Sequence, residues 1–122
     1  MTEIRAAMEW TFFREVQPPG TVQQMLVEGE HIIAAYATVR DVATITNKRI
    51  MIADRQGITG NKTEVYTIPF KSIVMYSSEN AGAVLDFNAE LELWTRAGRF
   101  KLKLKKGIDI RKLDRIIAHH IL

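Results

Sequence analysis

Apolar and polar residues alternate without a slip between Asp86 and Lys106. Phe87, Ala89, Leu91 and Leu93 mark one run and Phe100, Leu102 and Leu104 the next; Asp86, Asn88, Glu90, Glu92 and then Arg99, Lys101, Lys103, Lys105 fill the positions between. A period of two over that length predicts an antiparallel hairpin with one apolar and one charged face. Its turn is Thr95-Arg96-Ala97-Gly98, where Gly98 is free to take a positive φ. Pairing Leu93 with Phe100 and Leu91 with Leu102 sets Glu92 opposite Lys101 and Glu90 opposite Lys103. A slip of one residue buries that charge, so the pattern pins the register.

Strand signals continue upstream. Residues 31–39 are apolar and β-branched, Arg40-Asp41 is a polar break, and 42–46 and 49–54 flank a two-residue turn, Asn47-Lys48, that sets Ile45 against Ile50. A turn-rich connection covers 54–57 and 59–62, and a strand over 64–68 ends at Pro69, which has no amide proton to give a ladder and so marks a break or an edge. Residues 70–77 form a further strand, with Ile73 and Met75 on one side and Phe70, Val74 and Tyr76 on the other, before a polar loop over 78–82. About seven strands with turn signals every eight to twelve residues predict an antiparallel sandwich or small barrel.

Both ends of the chain change period. Ile110, Leu113, Ile117 and Ile121, widened by Ile116 and His120, form a helical stripe. Asp109 stands as its N-cap, Ile108 staples against Leu113, and Arg111, Lys112, Asp114 and Arg115 face water. At the other end Ile4, Met8 and Phe12 recur every four residues, which predicts a short helix within 2–14. Pro18-Pro19-Gly20 breaks the chain, and Thr21 with Gln24 has the form of a capping box opening a short helix over 22–27 that Gly29 ends. Val22, Met25 and Leu26 are expected to dock it on the sheet.

Composition narrows the function more than it identifies it. The 122 residues make one domain, expected to bury roughly two-thirds of its unfolded surface. A net charge of +3 falls short of the concentrated field of a nucleic-acid interface. There is no cysteine, which excludes disulfides, thiolate chemistry and cysteine-ligated metals. No apolar run reaches the ~20 residues of a membrane span. The first residues lack a basic segment followed by an apolar core, so cytoplasmic residence is the expectation.

Candidate chemistry is sparse. Lys101, Lys103, Lys105 and Lys106 form a candidate anion patch, but Glu90 and Glu92 beside them cancel much of its field. The neighbours His119 and His120 stand about 100° apart on a helix and cannot chelate one metal together, and His31 has no evident partner. Glu90 with Glu92, or Asp86 with Glu90, lies on a solvated face without the desolvation that tunes a general acid. The glycines at 57, 60 and 82 open no strand–glycine–helix unit, so no phosphate loop is present. No cofactor, metal or small-molecule substrate is expected. Met8, Trp10, Phe12 and Phe13 in the first segment, and Trp94 on the charged face, are candidate self-association residues. Glu3, Glu9 and Glu15 outnumber Arg5 and Arg14, which disfavours an anionic bilayer as the partner of that segment.

Seven antiparallel strands closed by one C-terminal helix is the architecture of pleckstrin-homology-like (PH-like) domains: mainly β, an orthogonal sandwich or barrel, here with a short N-terminal helix. The sequence resembles the bacterial PH-like family, long a domain of unknown function, in Arg40-Asp41, Thr46-Asn47-Lys48-Arg49 and Asp54-Arg55-Gln56-Gly57-Ile58-Thr59-Gly60. The likeness continues through Ile68-Pro69-Phe70-Lys71-Ser72-Ile73, Glu79 with Ala81-Gly82, and Ala89-Glu90-Leu91. It covers about residues 25–120; Asn80 departs from the small hydroxyl residue expected there, and residues 1–17 fall outside it. The expected organisation is an N-terminal extension, 1–17, and a PH-like domain, 18–122. The resemblance implies a non-enzymatic module whose members form ring-like homo-oligomers, so the expected partner is a second copy of the chain. The alternative is a peripheral binder of anionic lipid or a phosphorylated ligand through the lysine strand. Lipid-binding PH domains cluster Lys and Arg around their first hairpin loop, where this chain offers Arg40 beside Asp41, and that role does not carry over.

Overall fold

The computed structural model describes residues 7–56, 62–79 and 89–122. Within them lie the strands β1 (Ala7–Phe12), β2 (Arg14–Glu15), β3 (Ile32–Ala37), β4 (Val42–Thr46), β5 (Arg49–Gln56), β6 (Lys62–Pro69), β7 (Ile73–Glu79), β8 (Ala89–Thr95) and β9 (Gly98–Leu104), and the helix α1 (Ile110–Ile121). They form two sheets, one ordered β1-β9-β8-β7 and one ordered β2-β3-β4-β5-β6. Every pairing is antiparallel except that of β1 with β9. The expected PH-like architecture is present in β3 to β9 and α1, with the first two strands added to it.

Alternation dictates what each sheet buries. In the five-stranded sheet Tyr36, Ala43 and Ile52 share one register row and Ala34, Ile45, Ile50 and Ile68 another, all in the core. In the four-stranded sheet Leu91, Leu93, Leu102 and Leu104 meet them from the other side, each fully buried. The hairpin of β8 and β9 has the expected register, Leu93 with Phe100 and Leu91 with Leu102. Gly98 takes φ 151° while Arg96 and Ala97 keep negative values. Asp86, Phe87 and Asn88, the turn residues 57–61 and the loop residues 80–82 lie outside the described residues.

Ala7–Phe12 is a strand, not part of the helix that four-residue spacing predicts within 2–14; residues 1–6, with Ile4, lie outside the described residues. Met8, Trp10 and Phe12 also recur at i, i+2 and i+4, and parallel pairing with β9 selects that period. Phe12 is fully buried and stacked on Tyr36, with ring centroids 5.2 Å apart. Phe12 therefore belongs to the core. One peptide unit then carries the chain from sheet to sheet: the Phe12 carbonyl accepts from the Lys105 amide at 2.9 Å, and the Phe13 amide donates to the Ala37 carbonyl at 2.8 Å.

The helix expected over 22–27 is instead a 3-10 turn, Gly20–Met25, preceded by Pro19 and without a side-chain cap. Six residues after two prolines sustain only i→i+3 bonds, as from the Val22 amide to the Pro19 carbonyl. Gly29, at φ 81°, serves the turn into Glu30 rather than a helix end. Val22 and Met25 do lie over the sheet, sharing a groove with Thr44 and Met51 on its outer face. On β7 a register shift between Ile73 and Met75 breaks the expected alternation. Ile73 is buried, whereas Val74 and Met75 are both exposed, at 64% and 52%.

The final helix is capped as expected, Asp109 accepting from the amides of Arg111 and Lys112 at 3.0 and 3.3 Å. Leu113, Ile116 and Ile117 are buried beneath it. Asp114 does not simply face water: its carboxylate accepts from the hydroxyls of Tyr76 (3.2 Å) and Ser78 (2.8 Å), docking the helix on β7. Lys112 reaches Glu15 at 2.7 Å, joining the helix to the N-terminal crossing.

Replacing Phe12 by Ala is expected to cost about 3–5 kcal/mol of stability by urea unfolding, because it empties a closed core site. Phe13→Ala, at an exposed position, is expected to stay within about 0.5 kcal/mol. Equal effects would contradict the placement of β1 in the core.

Candidate functional site

The lysine strand is the most charged element, and its outer face is closely balanced. Strand alternation aims Lys101 and Lys103 outward, between glutamates on both neighbouring strands. The ion pairs run diagonally rather than straight across: Lys101 to Glu90 at 3.7 Å, Arg99 to Glu92 at 3.4 Å, and Lys103 to Glu9 of β1 at 3.2 Å. Each such pair adds at most about 1 kcal/mol, but together they leave little net field. Lys105 and Lys106 lie past the strand, exposed, with no ion pair among the described residues. Two of the four candidate anion-binding lysines are thus neutralised and two stand apart from them.

The self-association candidates separate in the same way. Phe12 is a core residue, unavailable to a partner without unfolding. Trp10 is half-buried, tilted on Tyr66 with centroids 5.3 Å apart and stacked on Phe100 at 6.1 Å. Met8 is half-buried on β1, and Phe13 is 36% exposed. Trp94 points outward, half-buried, and its register partner on β7 is the exposed Met75. Met75 and Val74, neither of them singled out by alternation, make β7 the sheet edge with the most exposed apolar surface among the described residues.

A second constellation was not legible beforehand. Glu30, its side chain fully shielded, accepts two bonds from Arg49, Nε at 2.8 Å and a terminal nitrogen at 3.0 Å. It also accepts from the Thr46 hydroxyl at 2.6 Å and the Val27 amide at 2.9 Å. Burial raises the Glu30 pKa, but the hydrogen bonds from Arg49, Thr46 and Val27 and the Arg49 charge outweigh it and hold it at about 2. Asn47 adds bonds to the Gly29 carbonyl and from the His31 amide. The Thr46-Asn47-Lys48-Arg49 stretch is therefore a lock that fixes the segment before β3 to the β4–β5 turn.

Other candidates find structural partners. His120 Nδ1 lies 2.7 Å from the Ile116 carbonyl and its ring stacks on Phe70, while His119 meets it edge-on. No cluster of three metal-ligating side chains occurs among the described residues. Asp41 pairs with Arg55 at 3.4 Å, so the first hairpin loop concentrates no basic charge. No helix among the described residues is long and apolar enough to cross a membrane.

Residues 4–121 match the bacterial PH domain family. The chain is 39% identical over 97 residues to the uncharacterized protein YjqA of Bacillus subtilis, covering 77% of each. It is 31% identical over 100 residues to YozO of the same organism, covering 82% of this chain and 86% of that one. A DUF1696 family protein with a pleckstrin-homology domain from Shewanella loihica superposes with a TM-score of 0.79 at 34% identity, over 88% of this chain and 96% of that one. A pleckstrin homology domain from Shewanella amazonensis gives 0.66 at 36% identity, over 84% and 83%. The family match begins at residue 4, consistent with a first strand that belongs to the core.

Because the Glu30 pKa falls from 4.5 unfolded to about 2 folded, its ionised form adds stability that is full above pH 4.5 and drains away as pH falls towards 2. Glu30→Gln is expected to cost about 3 kcal/mol at pH 7. In urea titrations across pH, the gap to wild type is expected to shrink below about 1 kcal/mol by pH 2.5. A gap that ignores pH would remove the charge as its cause.

Proposed function

The chain belongs to the bacterial PH domain family, and from that premise we propose that it is a non-catalytic assembly module that joins copies of itself into a closed ring. The observation that carries this reading is the pair of unlike free edges on one sheet. Among the described residues β1 and β7 bound the four-stranded sheet, and neither has a second strand beside it. An edge of β7 laid along β1 of the next copy is a heterologous contact, which closes into a ring when its rotation divides the circle.

The exposed side chains favour β7 as one half of that joint. Its Val74 and Met75 stand in solvent, with Trp94 beside Met75. Of the other sheet's two edges β2 is only two residues long, and β6 is defended: Lys62, Thr63 and Glu64 are exposed polar residues and Pro69 ends the strand. The paired charges on the outer face keep neighbouring copies from repelling one another. Those same pairs weigh against the alternative of a basic face for anionic lipid.

Light scattering at micromolar concentration is expected to give a mass several times that of one chain. Val74→Lys with Met75→Lys is expected to give a monomer with an unchanged circular dichroism spectrum, since both side chains are exposed. A wild-type monomer would end the proposal; an intact oligomer in the double variant would rule out β7 as the joint.

A further inference from the structure

A cleft of about 430 Å³ opens where the β4–β5 turn, the β6–β7 connection and the end of α1 meet. Val27 and Pro69 supply apolar wall over the buried Phe70, and Lys48, Lys71 and His120 stand around it. The size is that of a small-molecule site. Its one lining carboxylate, Glu30, is already held by Arg49 at 2.8 Å, so no anion in the wall competes for the lysines. Lys48 and Lys71 make no ion pair among the described residues.

The walls are fixed before any ligand arrives. The Phe70 amide donates to the Lys48 carbonyl at 3.0 Å, and the Lys48 amide donates to the Thr46 hydroxyl at 3.0 Å. The Phe70 ring stacks on His120 with centroids 5.2 Å apart and planes 15° from parallel. His120 Nδ1 lies 2.7 Å from the Ile116 carbonyl, which fixes the ring in place. Preorganised apolar wall with two lysines among the lining residues selects a particular kind of molecule. A bare inorganic anion leaves the Val27 and Pro69 wall unused, and a neutral hydrocarbon leaves the lysines unused.

We propose that this cleft binds a small anionic amphiphile, one carboxylate on a short apolar body. The carboxylate lies between Lys48 and Lys71, and the apolar body lies against Pro69 and Val27. No residue of β1 or β7 lines the cleft, so binding here and assembly through the sheet edges are separable.

Isothermal titration of the full chain with octanoate, octanol and inorganic phosphate tests this. Octanoate is expected to saturate at one per chain, while octanol and phosphate at the same concentration do not. Lys48→Ala with Lys71→Ala is expected to weaken octanoate by at least about tenfold, with an unchanged melting temperature and oligomeric mass. Lys105→Ala with Lys106→Ala is the control and is expected to leave octanoate affinity unchanged. Octanoate that fails to saturate, octanol or phosphate that binds as tightly, or a control variant that weakens binding equally would each overturn the proposal.

Discussion

One peptide unit holds the two sheets together at their N-terminal corner. Its carbonyl, from Phe12, belongs to the four-stranded sheet, and its amide proton, from Phe13, belongs to the five-stranded one. Every buried backbone group needs a partner, and a strand that leaves one sheet for another risks stranding its donors and acceptors at the crossing. Here the loss is nil, because opposite ends of the same amide are claimed by Lys105 and Ala37. The consequence is steric as well as polar. Holding that unit in place drives the Phe12 ring inward onto Tyr36 and turns the next side chain, Phe13, out to solvent. At the other corner α1 does the closing, with Asp114 taking hydroxyls from β7 and Lys112 reaching back to Glu15.

The two tight hairpins share a device. Each turn is opened by a threonine whose hydroxyl accepts the amides two and three residues on: Thr46 for Lys48 and Arg49, Thr95 for Ala97 and Gly98. A local side-chain acceptor of this kind satisfies donors that the ladder has not yet reached. The two then differ in where the hydroxyl proton goes. Thr95 returns it to the Gly98 carbonyl at 2.9 Å, so that turn is self-contained. Thr46 gives it to Glu30 at 2.6 Å, and through Glu30 the turn captures Arg49 and the segment from Met25 onward. A turn motif thereby becomes a tertiary lock.

What could be read beforehand follows the range of the interaction. The β8–β9 register was legible because a two-residue period and a four-residue turn are local facts. The first strand was not: Ile4, Met8 and Phe12 fit a helix, Met8, Trp10 and Phe12 fit a strand, and the deciding partner, β9, lies some ninety residues away. Glu30 carries no local signal of its role, since its partner Arg49 is nineteen residues on. Asp114 falls on the polar side of the helical wheel, which points it to water, because helical periodicity says nothing about hydroxyls on a neighbouring strand. The break in alternation at Val74 needed the register shift itself to be seen.

Charge shows the same distinction between count and field. The strand richest in lysine is the one whose cations are best matched, because parallel addition of β1 brings Glu9 to a face that already held Glu90 and Glu92. The glutamate count of the hairpin alone understates that neutralisation. Two of the lysines without an ion pair among the described residues, Lys48 and Lys71, are far apart in the chain and belong to no basic run, yet the β4–β5 turn and the β6–β7 connection bring them to one cleft. An electrostatic reading of this fold therefore begins from which strands are neighbours, and the run of basic residues along any one of them is a poor guide to where an anion is held.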